Sequence, residues 1–425
     1  MIAKKFETNM LEFEPHMFDL SIEDHYLELK NLVATNDHIV IHDDIHSQIQ
    51  ELVKLRNPSS RFTQEELSRE IQAEIGTDPI DTYGVWVYYP WSHALVHVLK
   101  EEDFISVRTN RNRYKITDEE QVRLRTKKVG VIGLSVGQSV AVTIAQERSC
   151  GELRLCDFDV LELSNYNRIR TRLTHLGLRK TVSVAREIKE LDPFFKVVCF
   201  HDGLTPDNMD EFFLGGGTLD VCIDECDDVA MKILSRIKAK KLRVPVVMEA
   251  SDNCTVDVER FDLEPERPLL HGYIDHLDVE KAAQLKTNEE KVPYMLAMLA
   301  PELMTNKMLA SIFEINETIT TWPQLASSIV YGGGICANVC RRVLLNTFTE
   351  SGRHQLNVDA YFGDKSSPQK EWTGFQTPKR ISEHEMSQVT AKFAPQQGAP
   401  SLRSDLEILG LDHGIGHFMI FEVDS

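Results

Sequence analysis

Between Lys128 and Met248 five short apolar runs alternate with helical patterns, and that alternation restricts the folds open to the chain. Val129-Gly130-Val131-Ile132-Gly133 reads as a buried strand and Val140 to Arg148 as a helix. Glu152 to Asp157 is a second strand, Thr181 to Leu191 a helix closed by Asp192-Pro193, and Lys196 to Phe200 a third strand. Asp220 to Asp224, a helix over Asp228 to Lys240, and Val244 to Met248 complete the series. Strands this apolar need cover on both faces. Strands joined through helices pair in parallel, because each crossover returns the chain to the edge where it started. The expected fold class is α/β, a Rossmann-like, doubly wound, mainly parallel sheet.

The flanks read differently. Residues 1–107 form an α+β N-terminal region without a diagnostic motif. It has helical spacing over Ser21–Thr35 and Ser47–Asn57, a short strand at His38–His42, a capping signature at Thr63 with Glu66, and a β-rich run from Gly84 to Pro90. Residues 108–350 are expected to form one domain around these strands, ending in helical patterns over Pro293–Leu303, Asn306–Ile315 and Leu325–Phe348. Residues 351–425 are a less regular extension, with linker-like Ser366-Ser367-Pro368 and Ala394–Pro400 and a terminal strand at Phe418–Val423.

Charge narrows the partners. The chain has 47 Lys+Arg against 66 Asp+Glu, a net charge of −19, which argues against nucleic acid and against anionic membranes. No apolar run approaches the roughly 18 residues of a membrane-crossing helix. No apolar stretch follows Lys4 and Lys5, so the start does not read as a signal peptide. The eight cysteines are sparse and sit mostly in apolar runs, as reduced thiols do, and no Cys-x-x-Cys pair suggests zinc. A cytoplasmic protein is expected. Against this acidity, the stretch from Arg108 to Arg125 gathers Arg108, Arg111, Arg113, Lys115, Arg123 and Arg125, and reads either as an anion-facing segment or as a solvated connector.

Three features carry chemistry. The turn Gly133-Leu134-Ser135-Val136-Gly137-Gln138 joins a strand to a helix, whose N-terminus can hold phosphate. Its glycine fingerprint is degenerate, since only Gly133 fits, Ser135 and Gln138 fill the other two positions, and Gly137 is displaced by one. Asp157 ends the next strand, 24 residues after Gly133, where a carboxylate accepts from ribose hydroxyls. Ser164-Asn165-Tyr166-Asn167-Arg168 then follows. Hydride transfer has no use for that segment, whereas activation of a carboxylate with ATP needs fixed cations along the polyphosphate. Arg168 and Lys180 suit that role, and Asp227, after the fourth strand, supplies a hard oxygen for Mg²⁺.

With Asp157-Phe158-Asp159, Asn165-x-Asn167-Arg168, Gly177-x-x-Lys180 and Asp227 in this order, residues 113 to about 345 resemble the ThiF/MoeB adenylyltransferase family, which includes the activating enzymes of ubiquitin-like proteins. The resemblance implies ATP and Mg²⁺ at the carboxyl edge of the sheet. ATP would lie over Gly133, Ser135 and Gly137, with Asp157 on the ribose, Asp159 also in the ATP site, Asn165, Arg168 and Lys180 on phosphates, and Asp227 by the metal. Arg168, Lys180 and Asp227 would be the catalytic groups. It further implies a homodimer, in which Arg111 or Arg113 reaches the partner's ATP, and adenylation of a ubiquitin-like protein, a sulfur-carrier protein or a peptide at its carboxylate. The competing readings are an NAD(P)- or FAD-binding oxidoreductase and a catalytically silent partner protein of the same fold. The sequence departs from the family at Ser135 and Gln138, and it lacks the zinc-binding cysteine pairs of many members. Cys254 follows the fifth strand, near where some members keep a working thiol, although a loop cysteine needs no such role.

The remaining constellations read as structural. His38, His42 and His46 are spread by about 13 Å per interval on an extended chain, and His93 and His97 lack a partnering glutamate. His413-Gly414-Ile415-Gly416-His417 reads as a turn. Cys336 and Cys340, after Gly332-Gly333-Gly334, share a helical face that suits packing better than metal.

Overall fold

The computed structural model describes residues 10–356 and 358, apart from 253, 280, 282–284, 286–287, 300–303 and 316. The expected linkers at 366–368 and 394–400, the turn at 413–417 and the strand at 418–423 lie outside the described residues.

The N-terminal region has the order β1 (His16–Phe18), α1 (Glu23–Thr35), β2 (Val40–Asp43), α2 (Ile45–Arg56), α3 (Gln64–Ile75), β3 (Val85–Tyr89), β4 (Ala94–Val98) and α4 (Glu101–Thr109). Its four strands line up as β1-β3-β4-β2, with β2 parallel to β4 at one edge and the other pairs antiparallel. The box expected at Thr63 caps α3, through reciprocal bonds with Glu66. The sheet is packed by Phe18, Leu29, Trp86, Tyr88 and Leu95, while Ile45, Ile49, Leu52, Val53, Ile71 and Leu99 form a second cluster. His97 is buried among them, stacked 4.1 Å over Trp86, with Nδ1 3.0 Å from the Asp43 carboxylate.

The rest continues with α5 (Asp118–Leu124), β5 (Lys128–Ile132), α6 (Gly137–Glu147), β6 (Glu152–Cys156), α7 (Lys180–Leu191), β7 (Lys196–Phe200), α8 (Met209–Leu214), β8 (Val221–Asp224), α9 (Val229–Leu242), β9 (Val246–Ala250) and β10 (Thr255–Glu259). It closes with α10 (Asn288–Leu299), α11 (Asn306–Glu314), α12 (Ala326–Leu344) and β11 (Gly352–Gln355). The seven strands line up as β11-β10-β9-β8-β5-β6-β7. From β7 to β9 all pairs are parallel, and β10 and β11 add antiparallel. This is the doubly wound α/β sheet read from the alternation of apolar runs. The chain moves outward from β5 through β6 and β7, then returns to place β8 on the other side of β5, so a crevice opens at the carboxyl ends of β5 and β8.

Val129, Val131, Leu153, Leu155, Val221 and Ile223 on the three central strands are fully buried, and α6 and α12 cover one face through Val140, Ile144, Cys336, Ala337 and Cys340. Each of the valine, leucine and isoleucine side chains among them contributes about 1.5–3 kcal/mol of burial. The expected boundaries at 107/108 and 350/351 cut through structure, since α4 runs to Thr109 and β11 extends the sheet past 350. The polar sequence Gly352-Arg353-His354-Gln355 hides β11. What holds it is the bidentate pair of Arg353 with the buried Asp257 carboxylate, at 2.7 and 2.6 Å.

The two regions meet along α7. The Tyr89 hydroxyl donates to the Lys189 carbonyl at 3.1 Å, Trp91 Nε1 to Glu190 at 2.6 Å, and Arg186 Nε to the Glu12 carbonyl at 2.7 Å, while Lys189 Nζ lies 2.6 Å from Glu14. Among the described residues, no helix is long and apolar enough to cross a membrane.

Candidate nucleotide site

Four residues separate β5 from α6, and Gly133 makes the reversal possible. Its φ is +86°, and a Cβ there would stand 2.5 Å from the Glu225 carbonyl oxygen, so the loop after β8 can pass this close only against glycine. α6 starts at Gly137, three residues before the Val140 expected from the sequence, and Val136 at its N-cap supplies no side-chain bond. The first-turn N–H groups and the positive end of the helix dipole therefore face the crevice, as an anion would require.

The two departures from the glycine fingerprint have visible work. The Ser135 hydroxyl accepts from Arg168 Nε at 3.0 Å. Gln138 is buried, and its amide donates to the Arg170 carbonyl at 3.0 Å and to the Glu187 carboxylate at 2.7 Å. Both side chains tie the turn to the segment that carries Arg168.

Asp157 is buried at the end of β6. One carboxylate oxygen accepts from the Leu134 N–H at 2.7 Å and the other from the Asp159 N–H at 2.8 Å. Burial raises its pKa above the ordinary carboxylate value even though the Lys180 charge opposes the shift. Lys180 begins α7, is itself buried, and places Nζ 2.7 Å from Asp159. Asn165 uses its amide oxygen to accept from the Glu162 N–H at 3.0 Å, closing the short helical turn Leu163–Asn167. That turn delivers Arg168, whose guanidinium also donates to the Ser164 carbonyl at 3.2 Å and to Asn167 Oδ1 at 3.0 Å. Burial lowers the Arg168 pKa, and the nearby Asp227 charge works against that shift. Asp227 itself is exposed on the loop after β8. Ser135, Arg168 and Asp227 thus lie near one another, as do Asp157, Asp159 and Lys180, while Gly133 and Gly137 shape the turn between β5 and α6 and Asn165 braces the segment before Arg168.

Arg111 and Arg113 are not among them. Their segment is anchored where Asn112 Nδ2 donates to the Glu147 carbonyl, at the far end of α6, about 16 Å along the helix from the crevice. Arg113 is exposed and paired with Asp118 at 3.2 and 3.3 Å. The basic cluster to which they belong is largely engaged within the fold. Arg108 bonds the buried Asp192 carboxylate at 2.8 Å, Arg123 the Leu345 carbonyl at 3.2 Å, and Arg125 the Glu102 carboxylate at 2.6 Å.

Cys254, the possible thiol, stands 1% exposed in the main core with a left-handed φ of 44°. Burial, then the Glu249 and Glu225 carboxylates, push its pKa up to about 12, so the thiol stays protonated near neutrality. Cys336 and Cys340 are also core side chains of α12.

Sequence reasoning did not anticipate the support beneath the crevice. Asp224 is fully buried, bonded to Lys232 Nζ at 3.0 Å and to Arg236, whose Nε in turn bonds Glu259 at 2.6 Å. Burial alone would raise the Asp224 pKa, but the Lys232 and Arg236 charges hold it at about 2. Next to it Glu225 and Glu249 are buried side by side, with the Glu249 N–H donating to Glu225 Oε1 at 3.0 Å. The acidic run from Asp224 to Asp228, so close to a buried strand, was the available signal.

The ThiF family pattern matches residues 109–369, more than half of the chain. The chain belongs to the ThiF family. It is 41% identical over 328 residues to a Mycobacterium tuberculosis protein called Uncharacterized protein MT1398, a match covering 76% of this chain and 45% of that one. It is 32% identical over 95 residues to Ubiquitin-like modifier-activating enzyme 5 of Drosophila ananassae, covering 22% and 24%. The chain therefore spans less than half the length of these curated relatives. Among solved structures it is similar to the Escherichia coli tRNA N6-threonylcarbamoyladenosine dehydratase TcdA in complex with ATP, at 16% identity and a TM-score of 0.39, covering 57% of this chain and 95% of that one.

Proposed function

We propose that this ThiF-family protein is an adenylyltransferase that uses ATP to activate a carboxylate, the C-terminus of a ubiquitin-like or sulfur-carrier protein or of a peptide. The observation that carries the reading is the meeting of Arg168 with Ser135 and Asp227 beside the uncapped start of α6, with Lys180, Asp159 and Asp157 completing the crevice. A carboxylate oxygen of the acceptor attacks the α-phosphorus of ATP. The bond from that phosphorus to the bridging oxygen breaks, pyrophosphate leaves with the electron pair, and an acyl-adenylate remains. Arg168 and Lys180 are placed to hold the charge that moves onto the departing phosphates. The α6 N–H groups orient the polyphosphate, and Asp157 faces the ribose hydroxyls.

Among the described residues no group of three or more His, Cys, Asp or Glu is gathered to hold a metal, so Mg²⁺ would rest on Asp227 and the polyphosphate. The ion binds through one or two carboxylates and completes its shell with water and phosphate oxygens, and Asp227 offers an exposed carboxylate beside the crevice. Bound there, it would neutralise polyphosphate charge.

The mouth of the crevice supports a macromolecular partner. Phe158, Val160, Leu163, Leu173 and Leu176 are all exposed on two loops joined by the Val160–Arg179 bridge and by the Leu161 N–H to the Leu178 carbonyl at 2.8 Å. Contiguous exposed apolar side chains mark interaction surfaces. A homodimer is also part of the proposal, and in it Arg111 or Arg113 of one copy would reach the other copy's site. The division into an N-terminal region, a nucleotide domain and a C-terminal extension belongs to the same proposal.

ATP–pyrophosphate exchange, run with a supplied carboxylate acceptor such as a ubiquitin-like protein or a peptide so that the acyl-adenylate can form and reverse, tests the reading. Arg168→Ala and Asp227→Ala are expected to abolish exchange while leaving far-UV circular dichroism unchanged. Exchange at the wild-type rate in both variants would sink it.

A further inference from the structure

The edge strand β2 of the N-terminal sheet is four residues long and ends on Asp43. An open edge recruits another strand, and natural proteins limit this with short strands, charged side chains, proline, bulges or covering elements. Here all four residues, Val40-Ile41-His42-Asp43, are exposed, with Val40 at 54% and Ile41 at 53%. Val40 donates its N–H to the His93 carbonyl at 2.9 Å and pairs with Ala94 of β4. In a strand the main-chain groups alternate in direction, so Ile41 turns its N–H and C=O away from β4. Among the described residues no strand pairs with that side.

The charge around this edge is one-sided. Residues 10–107 hold 6 Lys+Arg against 19 Asp+Glu, a balance of 6 − 19 = −13, most of the −19 of the whole chain. From Asn31 to Val53 there is no Lys or Arg, while Asp37, Asp43, Asp44 and Glu51 lie there. The edge also stands in fixed relation to the nucleotide crevice. The contacts of Tyr89, Trp91, Glu12 and Glu14 attach the region to α7, the helix that begins at Lys180.

We infer that the outer edge of β2 is a docking strand for a basic, extended peptide segment. The segment adds as a further strand beside β2, bonding the outward N–H and C=O of Ile41, setting apolar side chains against Val40 and Ile41, and neutralising the local acidic charge. That the docked segment belongs to the molecule whose carboxylate is activated rests on the proposed function. The docking itself does not.

The probe is a fluorescein-labelled acetyl-(Lys-Val)4-amide, with acetyl-(Glu-Val)4-amide as its counterpart, titrated against the full chain by anisotropy without ATP. The basic probe is expected to bind at least tenfold more tightly than the acidic one and to slow hydrogen exchange in residues 38–44. Ile41→Pro removes an outward donor and no bond to β4, and proline is tolerated at such positions. It is expected to weaken binding at least tenfold. Ile41→Lys, which leaves the backbone free to pair, places a like charge against the probe and should weaken it by a similar factor. Equal affinity for the two probes, or affinities within twofold of wild type in both variants, overturns the inference. So does slow exchange at 38–44 in the free monomer, which means the chain covers its own edge. A sedimentation coefficient that falls on Ile41→Pro also overturns it, since the occupant is then a second copy. Because ATP is absent throughout, these outcomes are independent of whether exchange activity is found.

Discussion

Replacing Glu249 by glutamine should remove a large pH dependence from the stability of the seven-stranded sheet. Glu249 is 4% exposed on β9, and neither carboxylate oxygen has a hydrogen-bond partner among the described residues. Gly332 of α12 lies against it so closely that a Cβ there would stand 2.3 Å from Oε1, which leaves no room for a solvating shell. Burial therefore moves the Glu249 pKa from 4.5 up to about 8, and the neighbouring Glu225 is raised as well. An acid whose folded pKa is raised contributes fully below its unfolded value and loses that contribution as pH rises toward the folded value. From about pH 4.5 to 8 the folded chain retains a proton that the unfolded chain releases, and each unit costs about 1.4 kcal/mol. The loss attributable to Glu249 reaches at most about 3 kcal/mol at pH 7. Glutamine keeps the shape and cannot ionise. Urea unfolding followed by circular dichroism should give Glu249→Gln within about 1 kcal/mol of wild type at pH 5 and more stable by about 2–4 kcal/mol at pH 8. Parallel stability curves for the two proteins across pH 5–8 would refute the reasoning.

Other consequences follow from the same neighbourhood. Gln138→Gly restores a fingerprint glycine but strips the half-buried Glu187 carboxylate and the Arg170 carbonyl of a donor, so it should cost about 1–3 kcal/mol in urea unfolding rather than improve the turn. Asp224→Asn leaves Lys232 and Arg236 buried beside a neutral group and should destabilise by about 3–5 kcal/mol. Because the Asp224 pKa is held at about 2, below its ordinary 3.8, its contribution is present above pH 3.8 and is lost as pH falls toward 2. Acid unfolding should accordingly show a steeper wild-type dependence over that window than the variant. Cys254, with its thiol near 12, should remain unmodified by iodoacetamide at pH 8 in the folded chain and react once urea unfolds it, as mass spectrometry of the tryptic peptide would show.

What the sequence made legible and what it hid have a common cause. Strands β5, β6 and β8 are buried on both faces, so their apolar runs reveal them, and the residues proposed to meet a nucleotide follow their ends in a fixed order and spacing. β10 and β11 escape that rule. Thr255-Val256-Asp257-Val258-Glu259 and Gly352-Arg353-His354-Gln355 are held by ion pairs, Asp257 with Arg353 and Glu259 with Arg236, whose partners lie 96 and 23 residues apart in sequence. No local pattern announces a contact of that range. The same distinction runs through the crevice. Arg168 and Asp227 could be read by their residue type, but the role of Ser135 could not, because the fingerprint asks for glycine there and the hydroxyl acquires meaning only beside the Arg168 guanidinium. Gln138 is the sharper case. Judged against the fingerprint it is a defect that places the triphosphate in doubt, yet folded it is a buried amide bridging α6 to the Arg170 carbonyl and to Glu187 of α7. A departure from a glycine pattern is therefore weak evidence of lost chemistry when the replacing side chain is buried and its amide nitrogen bonds the elements it supports, here the Arg170 carbonyl and Glu187 of α7.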